Sequence, residues 1–149
     1  MKSRALLYFL LVLSLIALGG LWFFVGRNPQ SRLAVFPAVV NRDCAPWDGG
    51  AFTVSIPVAE RTRIAISIYR SPEIQFPTSY SFPDKSGQEG HALLLLPTGK
   101  PQPLTGKAWF QRVDQGSPVE GRFRFHSESG VQFEGKFVAG WGTEIVYCG

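Results

Sequence analysis

Apolar and polar residues alternate with a period of two along most of the chain after Leu33. The alternation is clearest at 52–58, 63–69, 122–125 and 131–139. This period matches a β-strand that buries one face and exposes the other, because successive side chains point to opposite sides of a strand. No stretch after Leu33 has apolar residues at helical spacing. The pattern therefore predicts an all-β domain.

Weaker alternation predicts further strands, and turn sequences rich in proline, glycine and aspartate separate them. The weaker strands are 33–40, 74–82, 91–96, 104–113 and 143–147. About nine short strands in roughly 115 residues are typical of an antiparallel β-sandwich, with a small closed barrel as the alternative. Pro37 and Pro77 lie inside two of these strands and have no backbone N–H to donate. Both strands are therefore expected at sheet edges, which favours the open sandwich.

Three successive predicted strands near the C-terminus share a pattern of glycine, cation and aromatic residue. The glycines and the cations that follow them are Gly106 and Lys107, Gly121 and Arg122, and Gly135 and Lys136. A glycine inside a strand permits a bulge or the close packing of a ring from the next strand. Most aromatic residues of these strands are expected in the core, and the set is Trp109, Phe110, Phe123, Phe125, Phe133, Phe137 and Trp141. The alternative is that Trp109 and Trp141 face solvent and stack on sugar rings.

The N-terminal segment from Ala5 to Gly26 is uncharged and mostly apolar. As a helix it spans about 33 Å, which matches a hydrocarbon core about 30 Å thick. Aromatic residues near both of its ends favour a helix that crosses the bilayer. We therefore expect a cytoplasmic basic cap at 1–4, a transmembrane signal-anchor helix at 5–26, a linker at 27–32 and an extracytoplasmic β domain at 33–149.

A cleaved signal peptide is the alternative interpretation of this segment. Ala17-Leu18-Gly19 has the small-x-small pattern of a cleavage site, and cleavage there would secrete the domain. The new N-terminus at Gly20 would then carry an exposed apolar tail, which favours the retained anchor. The expected location is the cytoplasmic membrane, with a single pass and the N-terminus inside.

The only two cysteines, Cys44 and Cys148, bracket the predicted β domain. Neither belongs to a CxxC motif or a histidine-rich cluster, so they predict one disulfide bond. Closing a loop of roughly 100 residues removes about 4.7 kcal/mol of chain entropy from the unfolded state. Disulfides persist in oxidising compartments, which places the domain outside the cytoplasm.

The net charge of +4 lies beside the membrane segment. Of the 15 lysine and arginine residues, Lys2, Arg4, Arg27 and Arg32 precede Leu33, and the remaining 11 balance the 11 aspartate and glutamate residues. The β domain therefore has no net charge. A basic surface of the kind that binds nucleic acid is not expected.

Residues that carry catalysis or bind metals are few and scattered. His91 and His126 are the only histidines, and Met1 is the only methionine. The sequence contains neither Gly-x-Ser-x-Gly nor Ser-x-x-Lys, which are typical of serine nucleophiles. We therefore expect no catalytic residues, no metal site and no cofactor.

These observations favour a membrane-tethered, non-enzymatic module that displays its β domain to a protein partner in the cell envelope. Its predicted contact residues lie in an expected loop at 41–50 and are Arg42, Asp43, Trp47 and Asp48. Loops on a rigid β scaffold often carry function, and a tryptophan is a common binding anchor. The alternative for Trp47 is that its indole folds inward and covers the disulfide.

A second hypothesis is a module that binds an envelope glycan or a small apolar molecule. Trp109 and Trp141 are then the residues expected to stack on the ligand. A hydrolase is the least favoured function.

Overall fold

The computed structural model describes residues 33–47, 49–70, 78–114, 116–144 and 146–148, all within one compact unit, Leu33–Gly149. The described residues form eight β-strands: β1 (Val35–Cys44), β2 (Gly50–Ala59), β3 (Thr62–Ile68), β4 (Thr78–Phe82), β5 (Gly90–Leu95), β6 (Gln102–Arg112), β7 (Val119–Ser127) and β8 (Gln132–Trp141). No helix occurs in them, so none of them belongs to a helix that is long and apolar enough to span a membrane. The predicted cap, anchor helix and linker at 1–32 lie outside the described residues.

Seven of the strands close into a barrel. The strand order is β4-β6-β5-β3-β2-β1-β8-β7, and a further pairing of β6 with β7 completes the ring. Neighbouring strands are antiparallel except β1 and β8, which run parallel. The eighth strand, β4, pairs with β6 beside the ring. The all-β prediction is confirmed, whereas the open sandwich is wrong and the barrel alternative describes the architecture.

The position of Pro37 explains why a proline-containing strand is not a sheet edge. The carbonyl oxygens of Ala34 and Val40 accept hydrogen bonds from backbone N–H groups of β8 and of the residue after it. The backbone N–H and C=O groups of the even-numbered residues of β1 therefore point toward β8. Pro37 therefore turns its backbone toward β2, whose pairing with β1 begins only at Val39. The missing N–H falls where β1 has no partner on that side.

The strand predictions agree with the structure except at two places. Residues 143–147 form no strand in the part that the structure describes; the disulfide holds this tail instead. The expected loop at 41–50 is also wrong in extent, since β1 continues through Cys44 and β2 begins at Gly50. β4 pairs with β6 alone among the described strands, as expected of an edge, while Pro77 lies outside the described residues.

The barrel interior is filled by aromatic and branched aliphatic side chains. Ring pairs pack edge to face at its centre, with centroids of Phe52 and Phe110 5.5 Å apart and those of Phe110 and Phe137 5.7 Å apart. The fully buried residues include Val40, Val54, Ile56, Ile64, Ile66, Ile68, Phe123 and Phe125. A small barrel is thus a packed core, and ligands must bind on its outer surface or at its ends.

Two strand glycines make room for rings from neighbouring strands, as the sequence predicts. A Cβ at Gly121 would collide with the Phe137 ring and with the backbone of Trp109, and one at Gly135 would lie 2.5 Å from the Phe36 ring. Each glycine therefore lets an aromatic residue pack against the strand backbone.

The Cys44–Cys148 disulfide is confirmed, with a Cα–Cα distance of 5.5 Å. It joins the end of β1 to the tail that follows β8. The cross-link closes a loop of 104 residues, so it restricts the unfolded chain strongly.

Replacing Gly121 with alanine should destabilise the barrel, while the same change at Gly140 should not. The new methyl at Gly121 meets the Phe137 ring and fixed backbone, which costs roughly 1–3 kcal/mol of unfolding free energy. Nothing lies within 4 Å of a Cβ at Gly140, so Gly140→Ala is expected to stay within about 0.5 kcal/mol of the parent. Urea unfolding of the two variants measures the difference, and equal stabilities would contradict this packing.

Candidate functional site

A row of four side chains crosses the outer face of the barrel. In the strand register, Ser79 of β4 pairs with Trp109 of β6, Trp109 pairs with Arg122 of β7, and Arg122 pairs with Lys136 of β8. Paired residues of neighbouring strands share a face. Because the next residues along β6, β7 and β8, namely Phe110, Phe123 and Phe137, are buried in the core, this row points outward.

The row lines a cleft of about 560 Å³. Its lining residues are Thr78, Ser79, Trp109, Phe110, Gln111, Gly121, Arg122 and Lys136. This volume falls within the range of small-molecule binding sites. The lining combines an indole, two cations and neutral hydrogen-bonding groups, and it includes no carboxylate. The cleft is hereafter called the Trp109 cleft.

Arg122 lies over the indole of Trp109, with its guanidinium carbon 4.6 Å from the ring centroid. The cation–π contact orients the guanidinium without neutralising its charge. Within the described part of the chain, neither Arg122 nor Lys136 forms an ion pair. The Trp109 cleft therefore carries two adjacent positive charges, although the domain as a whole has no net charge.

The two acids of the described strands β7 and β8, Glu120 and Glu134, form no ion pair with Arg122 or Lys136. Glu134 is bound by Arg124, with 2.6 Å between Nη2 and Oε1, and this hydrogen bond lowers the pKa of Glu134. Glu120 lies on β7 outside the lining of the cleft. Glu134 is engaged elsewhere, so the charge of the cleft is available to an anion.

The two tryptophans predicted to stack on a ligand occupy different environments. Trp109 is partly exposed and lines the cleft, since the inward position next to it belongs to Phe110. Trp141 packs against the core, and its Nε1–H donates to the carbonyl of Asp114 over 2.9 Å. The other aromatic residues of these strands are buried or packed against the core, as predicted.

Sequence reasoning did not place Arg122 and Lys136 in a site. The sequence feature that could have indicated the site is the glycine followed by a cation in three successive strands. It puts Arg122 and Lys136 at corresponding outward positions of β7 and β8. The partner of each cation across the sheet depends on register, which the residue pattern alone does not give.

A second exposed surface surrounds Trp47 at the disulfide end of the barrel. The indole is 51% exposed, so it does not fold inward over the disulfide. It packs edge-on against Tyr69, with centroids 5.5 Å apart, and a Cβ at Gly49 would lie 3.1 Å from its Nε1. The aromatic ring is thus held in place while half of it faces solvent.

A chain of hydrogen bonds runs beneath this surface across three strands. Thr53 Oγ1 donates to Asp43 Oδ2 over 2.8 Å and lies 2.8 Å from Ser67 Oγ. Since the single hydroxyl proton of Thr53 goes to the carboxylate, Ser67 donates to Thr53. Ser67 is buried, and this chain therefore satisfies its hydroxyl while tying β3 to β1.

Tyr69 and His91 form the other polar pair of this surface. The phenol oxygen lies 2.6 Å from His91 Nδ1. Burial raises the pKa of Tyr69, and the charge of Asp43 raises it further. Burial lowers the pKa of His91 below its ordinary value, although Asp43 opposes this effect. Ser67 and His91 face each other in the ladder but bond to different partners, so they are not arranged as a nucleophile and its base.

The structure brings two of the four predicted contact residues to this surface. Asp43 lies on this surface and accepts a hydrogen bond from Thr53. Trp47 lies on it and packs against the Tyr69 ring. Arg42 pairs with the buried Phe52, so its side chain belongs to the other face of β1 at the barrel rim, where it is exposed. Asp48 lies outside the described residues.

Among the described residues, no three histidine, cysteine, aspartate or glutamate side chains come together as a metal site would require. A scan against models of protein families finds no match, and searches among curated proteins and solved structures find none either.

The lowered pKa of His91 predicts a loss of stability as the pH falls below 6.5. The unfolded imidazole takes up a proton near pH 6.5, whereas the folded one does so only at lower pH. The stability that depends on an uncharged His91 is therefore fully present above pH 6.5. It is lost as the pH falls through the pKa of His91 in the folded protein. Urea midpoints at pH 7.5 and pH 5 should differ less in His91→Gln than in the parent. An identical difference in both proteins would contradict the burial of this ring.

Proposed function

We propose that this protein is a membrane-tethered, non-enzymatic binding module of the cell envelope, and that its ligand is an anion bound in the Trp109 cleft. The observation that carries the proposal is the pairing of Arg122 and Lys136 beside an indole, in a cleft whose lining has no carboxylate. Guanidinium and ammonium groups bind carboxylates, sulfates and phosphates through charge-assisted hydrogen bonds.

The location outside the cytoplasm is part of this proposal and is supported by the disulfide. A bond between Cys44 and Cys148 persists in an oxidising compartment. The apolar segment at 5–26 supplies the proposed tether. The filled barrel interior supports an outer ligand site rather than an internal one.

Titration with anions tests the proposal. The full-length protein, held in a neutral detergent, is titrated by calorimetry with inorganic phosphate, sulfate and an oligogalacturonate. At least one of these should bind, and rising salt should weaken the binding because charge drives it. Arg122→Gln and Lys136→Gln should each lower the affinity by roughly tenfold or more, since each removes a charged hydrogen-bonding group.

Lys85→Gln is the matched control for both substitutions. Lys85 is an exposed cation in the turn before β5, so its loss changes the net charge equally without touching the cleft. This variant should bind as the parent does. Failure of every anion to bind, or equal loss in Lys85→Gln, would refute an anion site in the Trp109 cleft.

Recognition of a protein partner through Trp47 is a second candidate function. The observation that favours it is the half-exposed indole, fixed against Tyr69 on a short turn next to the disulfide. A rigid aromatic side chain loses little conformational entropy when a partner buries it.

Trp47→Ala separates this candidate from a purely structural role. Because half of the ring is already exposed, the variant should unfold within about 1 kcal/mol of the parent. Proteins that co-purify with the parent from a detergent extract should be lost from Trp47→Ala and kept by Tyr147→Ala, which removes another exposed ring. Unchanged recovery with Trp47→Ala would remove this surface from the functional account.

A further inference from the structure

We propose that the anion bound in the Trp109 cleft is an acidic saccharide, with its acid group on Arg122 and Lys136 and its hydroxyl groups on the β4 side. This inference rests on the proposed anion-binding function. Three features of the cleft support this ligand: the order of the side chains across the row, the length of that row, and the side chains of the row that have no hydrogen-bond or ion-pair partner among the described residues.

The side chains change in character from one end of the row to the other. Ser79 at the β4 end offers a hydroxyl, Trp109 follows with an aromatic ring, and Arg122 and Lys136 carry the charges. A ligand that fits this order needs a hydroxylated end, an apolar face and an acid group. A sugar acid combines all three, because its ring has C–H faces, hydroxyl groups and a charged substituent.

The length of the row favours a ligand larger than a lone oxyanion. Three gaps between strands separate Ser79 from Lys136, which corresponds to about 14 Å across the sheet. A single phosphate or sulfate on the two cations would leave the β4 side of the 560 Å³ cleft without a ligand group. A chain of linked rings spans the distance.

Two neutral side chains are positioned for hydroxyl groups. Ser79 and Gln111 both line the cleft, and within the described residues neither side chain makes a hydrogen bond to the protein. The side chains of Gln111 and Ser79 each offer a hydrogen-bond donor and an acceptor. Each can therefore bind a ligand hydroxyl group that donates or one that accepts. Sulfate ions and ionised carboxylate groups accept hydrogen bonds only and would use half of this capacity.

The two cations are close enough to share one acid group. Cross-strand neighbours such as Arg122 and Lys136 have Cβ atoms about 5 Å apart. The guanidinium fork matches the two oxygens of a carboxylate, and the ammonium adds a point charge. The cation–π contact holds the guanidinium over the Trp109 indole, within the same cleft.

The balanced charge of the domain argues for local recognition rather than general attraction to polyanions. Eleven basic residues meet 11 acidic ones after Leu33, so the domain has no broad basic surface. Specific contacts in the cleft, and not long-range charge, must then select the ligand.

A matched pair of oligosaccharides tests the ligand class. The full-length protein in neutral detergent is titrated with an oligogalacturonate and with its fully methyl-esterified form, which has the same rings without the charge. Inorganic phosphate and glycerophosphoglycerol, the water-soluble headgroup of phosphatidylglycerol, are the other two probes. The free acid should bind, the ester should bind at least about tenfold more weakly, and phosphate and the soluble headgroup should also bind more weakly than the free acid.

Variants on the neutral side of the cleft distinguish a saccharide from a simple anion. Gln111→Ala and Ser79→Ala should each lower the affinity for the oligogalacturonate several-fold and leave phosphate binding unchanged. Arg122→Gln should weaken both probes. Lys85→Gln should weaken neither.

Each alternative outcome contradicts a stated part of the account. Binding of phosphate or of the soluble headgroup as tight as that of the oligogalacturonate, or an unchanged affinity in Gln111→Ala and Ser79→Ala, would overturn the saccharide and leave the anion site standing. Equal binding of the ester and the acid would overturn the role of charge. Absence of binding by all four probes would overturn the proposed function itself.

Discussion

The pairing of β1 with β8 closes the barrel, and the arrangement of its outer surface depends on that closure. β1 pairs antiparallel with β2 on one side and parallel with β8 on the other. The two strands lie at opposite ends of the domain sequence, so their pairing closes a long loop. The Cys44–Cys148 disulfide reinforces the same junction, because it ties the end of β1 to the tail after β8. A closed ring fixes which residues of each strand face inward.

The aromatic core and the Trp109 cleft are two consequences of this one register. Phe110, Phe123 and Phe137 pack inside the barrel on β6, β7 and β8. The residue before each of them must therefore point outward, and these residues are Trp109, Arg122 and Lys136. Gly121 contributes to both faces, since it admits the Phe137 ring and also lines the cleft. Strong packing inside thus holds two like charges side by side on the outer surface.

The strand positions were predictable from the sequence because alternation is a local property. Closure was not, since no local pattern reports the pairing of β1 with β8. Pro37 was misleading because its missing N–H falls on the β2 side of β1, where the pairing with β2 has not yet begun. Trp109 and Phe110 cannot both lie in the core, as adjacent strand residues point to opposite faces. The cleft was missed because the partners of Arg122 across the sheet depend on long-range register.

Nuclear magnetic resonance of the tryptophan indole N–H groups tests most directly the claim that the closed barrel presents an anion site beside Trp109. The full-length protein in detergent is labelled with ¹⁵N in its tryptophans, the signals are assigned with single Trp→Phe variants, and an oligogalacturonate is added. The account predicts that the Trp109 signal shifts in proportion to ligand bound, that the Trp47 and Trp141 signals stay in place, and that Arg122→Gln abolishes the shift. A stationary Trp109 signal, or an equal shift at Trp47, would contradict it.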